Sequence, residues 1–218
     1  MENTIYNILI VDDHPVMRAG LSHIIAKEGN LRVCCEADGM SDALELVATR
    51  NPDLVIIDLS LADGSGLDLI ERIRAKDHHP IMLVVSMHDE LLFAERVLAA
   101  GAMGYVHKKE AYEMVIDAIK RVLSGKVYLS ESMKDRLLNN LVNSHTGKAG
   151  TSPVEKLSNR ELTVFELIGN GMKSGKIAEQ LKLSIKTIES HQANIKRKLS
   201  LASSQELTRK AMQWVLSN

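Results

Sequence analysis

The sequence predicts two unlike units in one chain of 218 residues: an α/β doubly wound five-stranded parallel sheet over residues 1–126, then an all-α four-helix unit over 157–218. Three observations carry this. Short apolar runs alternate with helical periods through residue 123, the alternation that sets helices on both faces of a parallel sheet. From Leu157 onward every pattern is helical, with regular start and stop signals. The charge also changes sign. Residues 1–126 carry 13 Lys and Arg against 20 Asp and Glu, or −7, whereas 155–218 carry 11 against 6, or +5. An acidic front suits a cation, and a basic back suits a polyanion.

Five strands are expected at Ile5–Val11, Leu31–Glu36, Leu54–Asp58, Ile81–Ser86 and Gly104–His107. Their apolar runs show little alternation, as expected of strands covered on both faces. Helical periods occupy 15–28, 41–50, 66–76, 89–100 and 111–123; Pro15 suits a first turn, and Ser41 can cap the second helix. In "LRVCCEAD", strand alternation turns Cys34 and Cys35 to opposite faces, so both read as packing residues without a disulfide. No apolar run has the length of a membrane span, and the N-terminus lacks a signal-peptide pattern; a cytoplasmic protein is expected.

In such sheets, ligands sit at the carboxyl ends of strands near the point where strand order reverses. Asp12 and Asp13 close the first strand, Asp58 the third and Ser86 the fourth, and Lys108 follows the fifth. Three carboxylates are hard oxygen ligands suited to Mg²⁺, which would relieve the repulsion within "DD". A carboxylate beside Mg²⁺ can attack phosphorus to form an aspartyl phosphate. Asp58 is the candidate nucleophile, with Lys108 and the Ser86 hydroxyl placed to bind the incoming oxygens.

The segments "VDDHP", "DLVIIDLSLADGSGLDLI", "VVSMHD" and "GAMGYVHKKE" occur in the order of a response-regulator receiver domain, which residues 5–123 resemble. The resemblance implies a flavodoxin/CheY-like fold and phosphoryl transfer from a sensor histidine kinase to Asp58. It implies Mg²⁺ held by Asp13, Asp58 and the Ser60 backbone carbonyl, with Asp12 acting mostly through water. Ser86 becomes the hydroxyl that swings toward the phosphoryl group, Tyr105 the aromatic switch and Lys108 the lysine. Ser60 and His88 fall where the family tunes phosphoryl lifetime. Two departures stand out: Ala62 replaces a common proline, implying a looser loop, and Lys109 duplicates Lys108, although spacing from Tyr105 favours the latter. A receiver-like domain that binds metal without being phosphorylated remains an alternative. An aspartyl-nucleophile phosphatase generally places a second acid two residues after its nucleophile, where this chain has Ser60. A regulator gated by a small autoinducer would need a ligand cavity in the front half.

Residues 127–156 read as linker: a helix over 127–142, then the polar "NSHTGKAGTSP" at 143–153. Beyond it, "SNRE" at 158–161 is a capping box whose helix ends at "GNG", 169–171; Ser174, Ser184 and "SSQE" at 203–206 open three more helices. Only "KLS", 182–184, separates the second and third, the geometry of a helix-turn-helix. In the third, Ile188, Ile195 and Leu199 face inward with Leu183. Lys186, Glu189, Ser190, Ala193, Asn194 and Arg197 face outward, a mixture suited to base edges and phosphates. Through "LSNRELTVFELIGNGMKSGKIAEQLKLSIKTIESHQANIKRKL", residues 157–214 resemble the LuxR-type output domain of NarL/FixJ regulators. This implies contacts to double-stranded DNA, with bases near Glu189, Ser190 and Ala193 and phosphates at Lys186, Thr187 and Lys198. Glu189 either accepts from cytosine N4 or pairs locally with Lys186. The stripe Leu207, Ala211, Trp214 and Val215 either finishes the core or, as the resemblance implies, forms a homodimer that reads an inverted repeat. The two resemblances together imply a two-component transcription regulator in which phosphorylation switches DNA binding and dimerisation.

Overall fold

The structure, a computed structural model, describes residues 4–76, 79–145 and 153–216. The chain divides into two compact units, Met1–Asn139 and Asn140–Asn218. The first contains strands β1 (Tyr6–Val11), β2 (Leu31–Ala37), β3 (Leu54–Ile57), β4 (Ser60–Leu61), β5 (Gly64–Ser65), β6 (Ile81–Ser86) and β7 (Gly104–His107). Its helices are α1 (Pro15–Ile25), α2 (Met40–Arg50), α3 (Gly66–Arg74), α4 (Glu90–Ala100) and α5 (Ala111–Leu123). Five parallel strands form one sheet in the order β2-β1-β3-β6-β7, and β4 and β5 form a small antiparallel pair. Strand order therefore reverses at β1 and β3, whose neighbouring carboxyl ends carry Asp12, Asp13 and Asp58.

Alternate residues of the central strands bury opposite faces. Ile8, Ile10, Leu54, Ile56, Leu83 and Val85 pack in one core with Leu21 and Ile25 of α1 and Val115, Ile119 and Val122 of α5. Leu9, Val11, Val55, Ile57, Met82 and Val84 are buried as well, accounting for the near-continuous apolar strands. The edge strand β2 departs from this regularity. Ile8 faces Val33 but Leu9 faces Cys35, so a bulge skips Cys34 and cancels the alternation across the cysteine pair. Instead of pointing apart, the two sulfurs lie 3.1 Å from each other.

The loop after Asp58 is tied down by a device that the sequence pattern did not show. Helix α2 begins at Met40, one residue before the expected cap, and Ser41 does not cap it. The carboxylate of Asp63, from the β4–β5 turn, accepts from the Met40 amide at 2.7 Å and the Ser41 amide at 3.1 Å. Gly66 gives a second tether, because a Cβ there would collide with the Asp58 carbonyl oxygen. Absence of proline at Ala62 therefore leaves an anchored loop. Burial opposes the Asp63 charge, but the two helix amides outweigh it and hold the carboxyl below its usual pKa. Asp63→Ala is expected to cost about 0.5–1 kcal/mol at neutral pH, with exposure keeping the value small. The stabilisation is present above the unfolded-state pKa and is lost as pH falls through the depressed folded-state pKa. Urea midpoints of wild type and variant should converge across that acid range.

After α5 the chain runs extended before α6 (Glu131–His145), so the helix expected from residue 127 starts four residues later. Tyr128 pairs with the open edge of β7: the Tyr105 amide donates to the Tyr128 carbonyl at 3.0 Å, and the Tyr128 amide to the Met103 carbonyl at 3.0 Å. This pairing covers an edge that would otherwise present unpaired amides. Most of the polar stretch 143–153 lies outside the described residues.

The second unit holds α7 (Asn159–Gly169), α8 (Ser174–Gln180), α9 (Ile185–Lys198) and α10 (Ser204–Leu216), preceded by a 3₁₀ turn at Pro153–Lys156. Ser158 and Glu161 form the expected capping box, and Ser184 caps α9 through the Thr187 amide. Helices α7 and α10 pack so closely that a Cβ on Gly169 would lie 2.7 Å from the Ala211 carbonyl oxygen. Among the described residues, no helix is long and apolar enough to cross a membrane.

Candidate functional site

The carboxyl ends of β1 and β3 bring Asp12, Asp13, His14 and Asp58 together, with one potential ligand atom from each lying within 4.8 Å of the others. Asp12 and Asp58 are buried, and Asp13 is half-buried. Lys108 opens a 3₁₀ turn after β7 and extends inward; its Nζ lies 2.7 Å from Asp12 Oδ2 and 2.7 Å from Asp58 Oδ2. Lys109 is exposed, so geometry separates the tandem lysines. Burial pushes the Asp58 carboxyl upward in pKa, and the Lys108 charge pulls against it. Burial would lower Lys108, but Asp58 and Asp12 more than offset this, and its pKa is raised. The ammonium is therefore a firm positive partner for the second oxygen of Asp58. Asp58 Oδ1 is buried and has no hydrogen-bond partner among the described residues. An orphaned carboxylate oxygen beside two further carboxylates fits a divalent cation with hard-oxygen preference, so the residues present fit Mg²⁺.

Ser86 and Tyr105 are both fully buried beside this cluster. His88 joins the parts: its amide donates to Ser86 Oγ over a long 3.4 Å, and its carbonyl accepts from the Tyr105 hydroxyl at 2.7 Å. Its Nε2 lies 3.0 Å from Ser60 Oγ. The ring also sits against Phe93, with centroids 4.7 Å apart. The Tyr105 side chain is thus held inward, with its hydroxyl on the His88 backbone. The junction at His88 was not legible in the chain, where the resemblance placed His88 and Ser60 only among the positions that tune phosphoryl lifetime.

In the second unit, α8 and α9 are joined through Lys182, whose φ of 50° makes the tight left-handed turn. Gln192 Nε2 donates to Ser174 Oγ at 3.1 Å and links the two helices. Ile188 and Ile195 are buried, while Lys186, Glu189, Ser190, Ala193 and Arg197 are exposed and Thr187 and Asn194 half-buried. The outward face of α9 is therefore the expected one. Among the described residues, Glu189 makes no ion pair with Lys186, leaving its carboxylate directed to solvent. Lys198, expected at a phosphate, makes an ion pair within the unit: its Nζ lies 2.6 Å from Glu161 Oε2, tying the end of α9 to the capping box of α7. Burial opposes the Glu161 charge, but Lys198 and the Ser158 amide hold its carboxyl below the usual range.

The sequence matches the profile of the response regulator receiver domain over residues 8–120 and that of the luxR family of bacterial regulatory proteins over 155–211. The chain belongs to the LuxR-family response regulators. This regulator is 37% identical over 201 residues to the Fimbriae Z protein of Salmonella typhimurium, covering 92% of this chain and 93% of that one. It is 36% identical over 210 residues to the oxygen regulatory protein NreC of Staphylococcus carnosus, covering 94% and 96%. A solved structure of two RcsB dimers bound to two parallel DNAs is similar at TM-score 0.58 and 25% identity, covering 98% of each chain. A receiver followed by a DNA-binding helix-turn-helix is thus the architecture of a transcriptional response regulator.

The regulator's α10 packs against its own unit through one stripe and leaves another exposed. Leu207 and Ala211 are fully buried within their own unit. Trp214 packs against Phe165 with the rings tilted by 54° and their centroids 5.4 Å apart, and Val215 sits against Gly169. Of the two readings of this stripe, Leu207 and Ala211 follow the first and help close the four-helix core, while Trp214 and Val215 stay half-buried. The helix carries a second set, Thr208, Met212 and Leu216, four residues apart; Met212 is 41% and Leu216 87% exposed. A helix with two apolar stripes cannot be assigned from periodicity alone, because either stripe could face the core.

Proposed function

We propose that Asp58 accepts a phosphoryl group from a sensor histidine kinase and that this modification changes how the regulator binds operator DNA. The observation that carries the reading is the division of labour at Asp58: Lys108 holds Oδ2, and Oδ1 is left without a partner inside the acidic cluster. The Asp58 carboxylate is the nucleophile for the incoming phosphorus, one oxygen attacking while the other stays toward the cation. Mg²⁺, held by Asp13, Asp58 and the Ser60 carbonyl with Asp12 acting through water, would neutralise charge on the transferred group. Lys108 orients the acceptor carboxylate and offers a positive partner to one phosphoryl oxygen. Ser86 Oγ, which accepts a long hydrogen bond from the His88 amide, donates its own hydrogen to another. His88 also carries Tyr105, so a shift of Ser86 toward the phosphoryl group would be passed through His88 to β7 and the Tyr128 segment paired with it.

The receiver comprises residues 1–126, the linker 127–156 and the output domain 157–218, working in the cytoplasm. On double-stranded DNA, Glu189, Ser190, Ala193 and Asn194 face bases, while Lys186, Thr187 and Arg197 face phosphates. Lys198 steadies the reading helix through Glu161. A homodimer formed through Thr208, Met212 and Leu216 reads an inverted repeat, since protein symmetry sets half-site symmetry. The dimeric assembly of the RcsB relative on DNA supports this reading. The test is affinity for a selected operator at matched salt, with and without acetyl phosphate. Phosphorylated protein should bind at least about tenfold tighter, a coupling of roughly 1.4 kcal/mol. Equal affinity would refute the switch.

The metal reading makes a separate prediction of opposite signs. Mg²⁺ at ten times its dissociation constant should stabilise the wild-type receiver by about 1.4 kcal/mol. Asp13→Asn should be more stable than wild type without metal, by about 0.5–1 kcal/mol, because it removes one of three crowded like charges. The same variant should lose most of the Mg²⁺ response. Thermal unfolding with and without Mg²⁺ measures both, and an unchanged metal response in the variant would remove Asp13 from the site.

A further inference from the structure

Cys34 and Cys35 are the two cysteines of the chain, and the phosphoryl chemistry uses neither. On a regular strand they would point to opposite faces; the β2 bulge brings their sulfurs to the same side, 3.1 Å apart. Both are free and half-exposed on an edge strand of the sheet. Adjacent Cα atoms are about 3.8 Å apart across a trans peptide, shorter than the span of about 4.4–6.8 Å that a disulfide requires. The backbone therefore opposes a direct bond between the sulfurs. A single atom bonded to both meets no such obstacle. With bonds to sulfur of about 2.3 Å, a separation of 3.1 Å subtends roughly 85°. A tetrahedral zinc thiolate would need about 3.8 Å between sulfurs at that bond length. The near-right-angled bite suits a pyramidal trivalent centre instead.

We propose that Cys34 and Cys35 form a dithiol clamp for trivalent arsenicals. With a monosubstituted arsenoxide, two arsenic–sulfur bonds form and the arsenic–oxygen double bond breaks. The two thiol protons leave with that oxygen as one water, and no electrons are exchanged. The step consumes neutral thiols, which accords with Cys35, whose pKa burial and Cys34 push up to about 12. A protonated thiol is a poor substrate for reactions that need a free thiolate, such as attack on peroxide.

The experiment uses the full-length, reduced protein and phenylarsine oxide, read by intact mass and by counting residual thiols. One phenylarsenic group should bind per chain, with loss of both titratable thiols. An excess of small dithiol should remove it, and an equal concentration of monothiol should not. Cys34→Ser and Cys35→Ser, with folding checked by far-UV circular dichroism, should each weaken retention by at least about 100-fold, the usual loss when a two-point attachment becomes one. Retention in either variant equal to wild type would overturn the clamp. So would capture by urea-unfolded but not native protein, or loss of two hydrogens to peroxide more readily than capture of the arsenical.

Discussion

Asp58→Asn is expected to abolish phosphoryl incorporation while leaving the receiver folded. The amide is nearly isosteric with the carboxylate and can still meet Lys108 through its oxygen, but it supplies no anionic oxygen to attack phosphorus. Incubated with Mg²⁺ and acetyl phosphate, wild type should gain one phosphoryl group by intact mass and the variant none. Operator affinity of the variant should stay at the unphosphorylated level whether or not acetyl phosphate is present. Lys108→Ala supplies a graded companion. It keeps the nucleophile but removes the charge shared by Asp12 and Asp58, so incorporation should slow by about 10²–10³, as when one charge-stabilising donor is lost. Continued phosphorylation of Asp58→Asn would place the acceptor elsewhere, with Asp12 and Asp13, the other carboxylates of the cluster, the next to test.

Phe165→Ala should largely unfold the output unit without touching the receiver's chemistry. Phe165 is fully buried in α7 and packs against Trp214 of α10. Removing such a ring costs about 3–5 kcal/mol, against a total of roughly 3–9 kcal/mol for some sixty residues. Trp214 is the single tryptophan of the chain, so its emission reports this contact without labelling. The variant should show red-shifted emission and no specific DNA binding, yet still gain its phosphoryl group. Leu216→Ala, on the exposed stripe of the same helix, should leave the emission unchanged and weaken only the dimer. Unchanged emission in Phe165→Ala would mean that α10 does not close the core as described.

The five parallel strands and the four output helices were legible in the chain because each depends on local periodicity. The apolar runs of β1 and β3 have the composition of strands buried on both faces, and "SNRE" caps α7 by a contact three residues long. Asp12, Asp13, Asp58, Ser86 and Lys108 were legible too, since a parallel sheet must gather strand ends on one side. What the sequence hid depends on contacts between distant segments. Asp63 caps a helix 22 residues away, Lys198 pairs 37 residues back with Glu161, and His88 joins Ser60 to Tyr105. The choice between two stripes on α10 and the turning of Cys34 toward Cys35 were likewise decided by packing and by strand register. By itself the sequence determined the five sheet strands and most helices, their order and the chemical groups at their ends, because backbone propensity and side-chain period act over a few residues; the short β4–β5 pair and the start of α6 it did not. Only the tertiary structure decided which of those groups touch, since a hydrogen bond or an ion pair is set to tenths of an ångström by how whole elements pack.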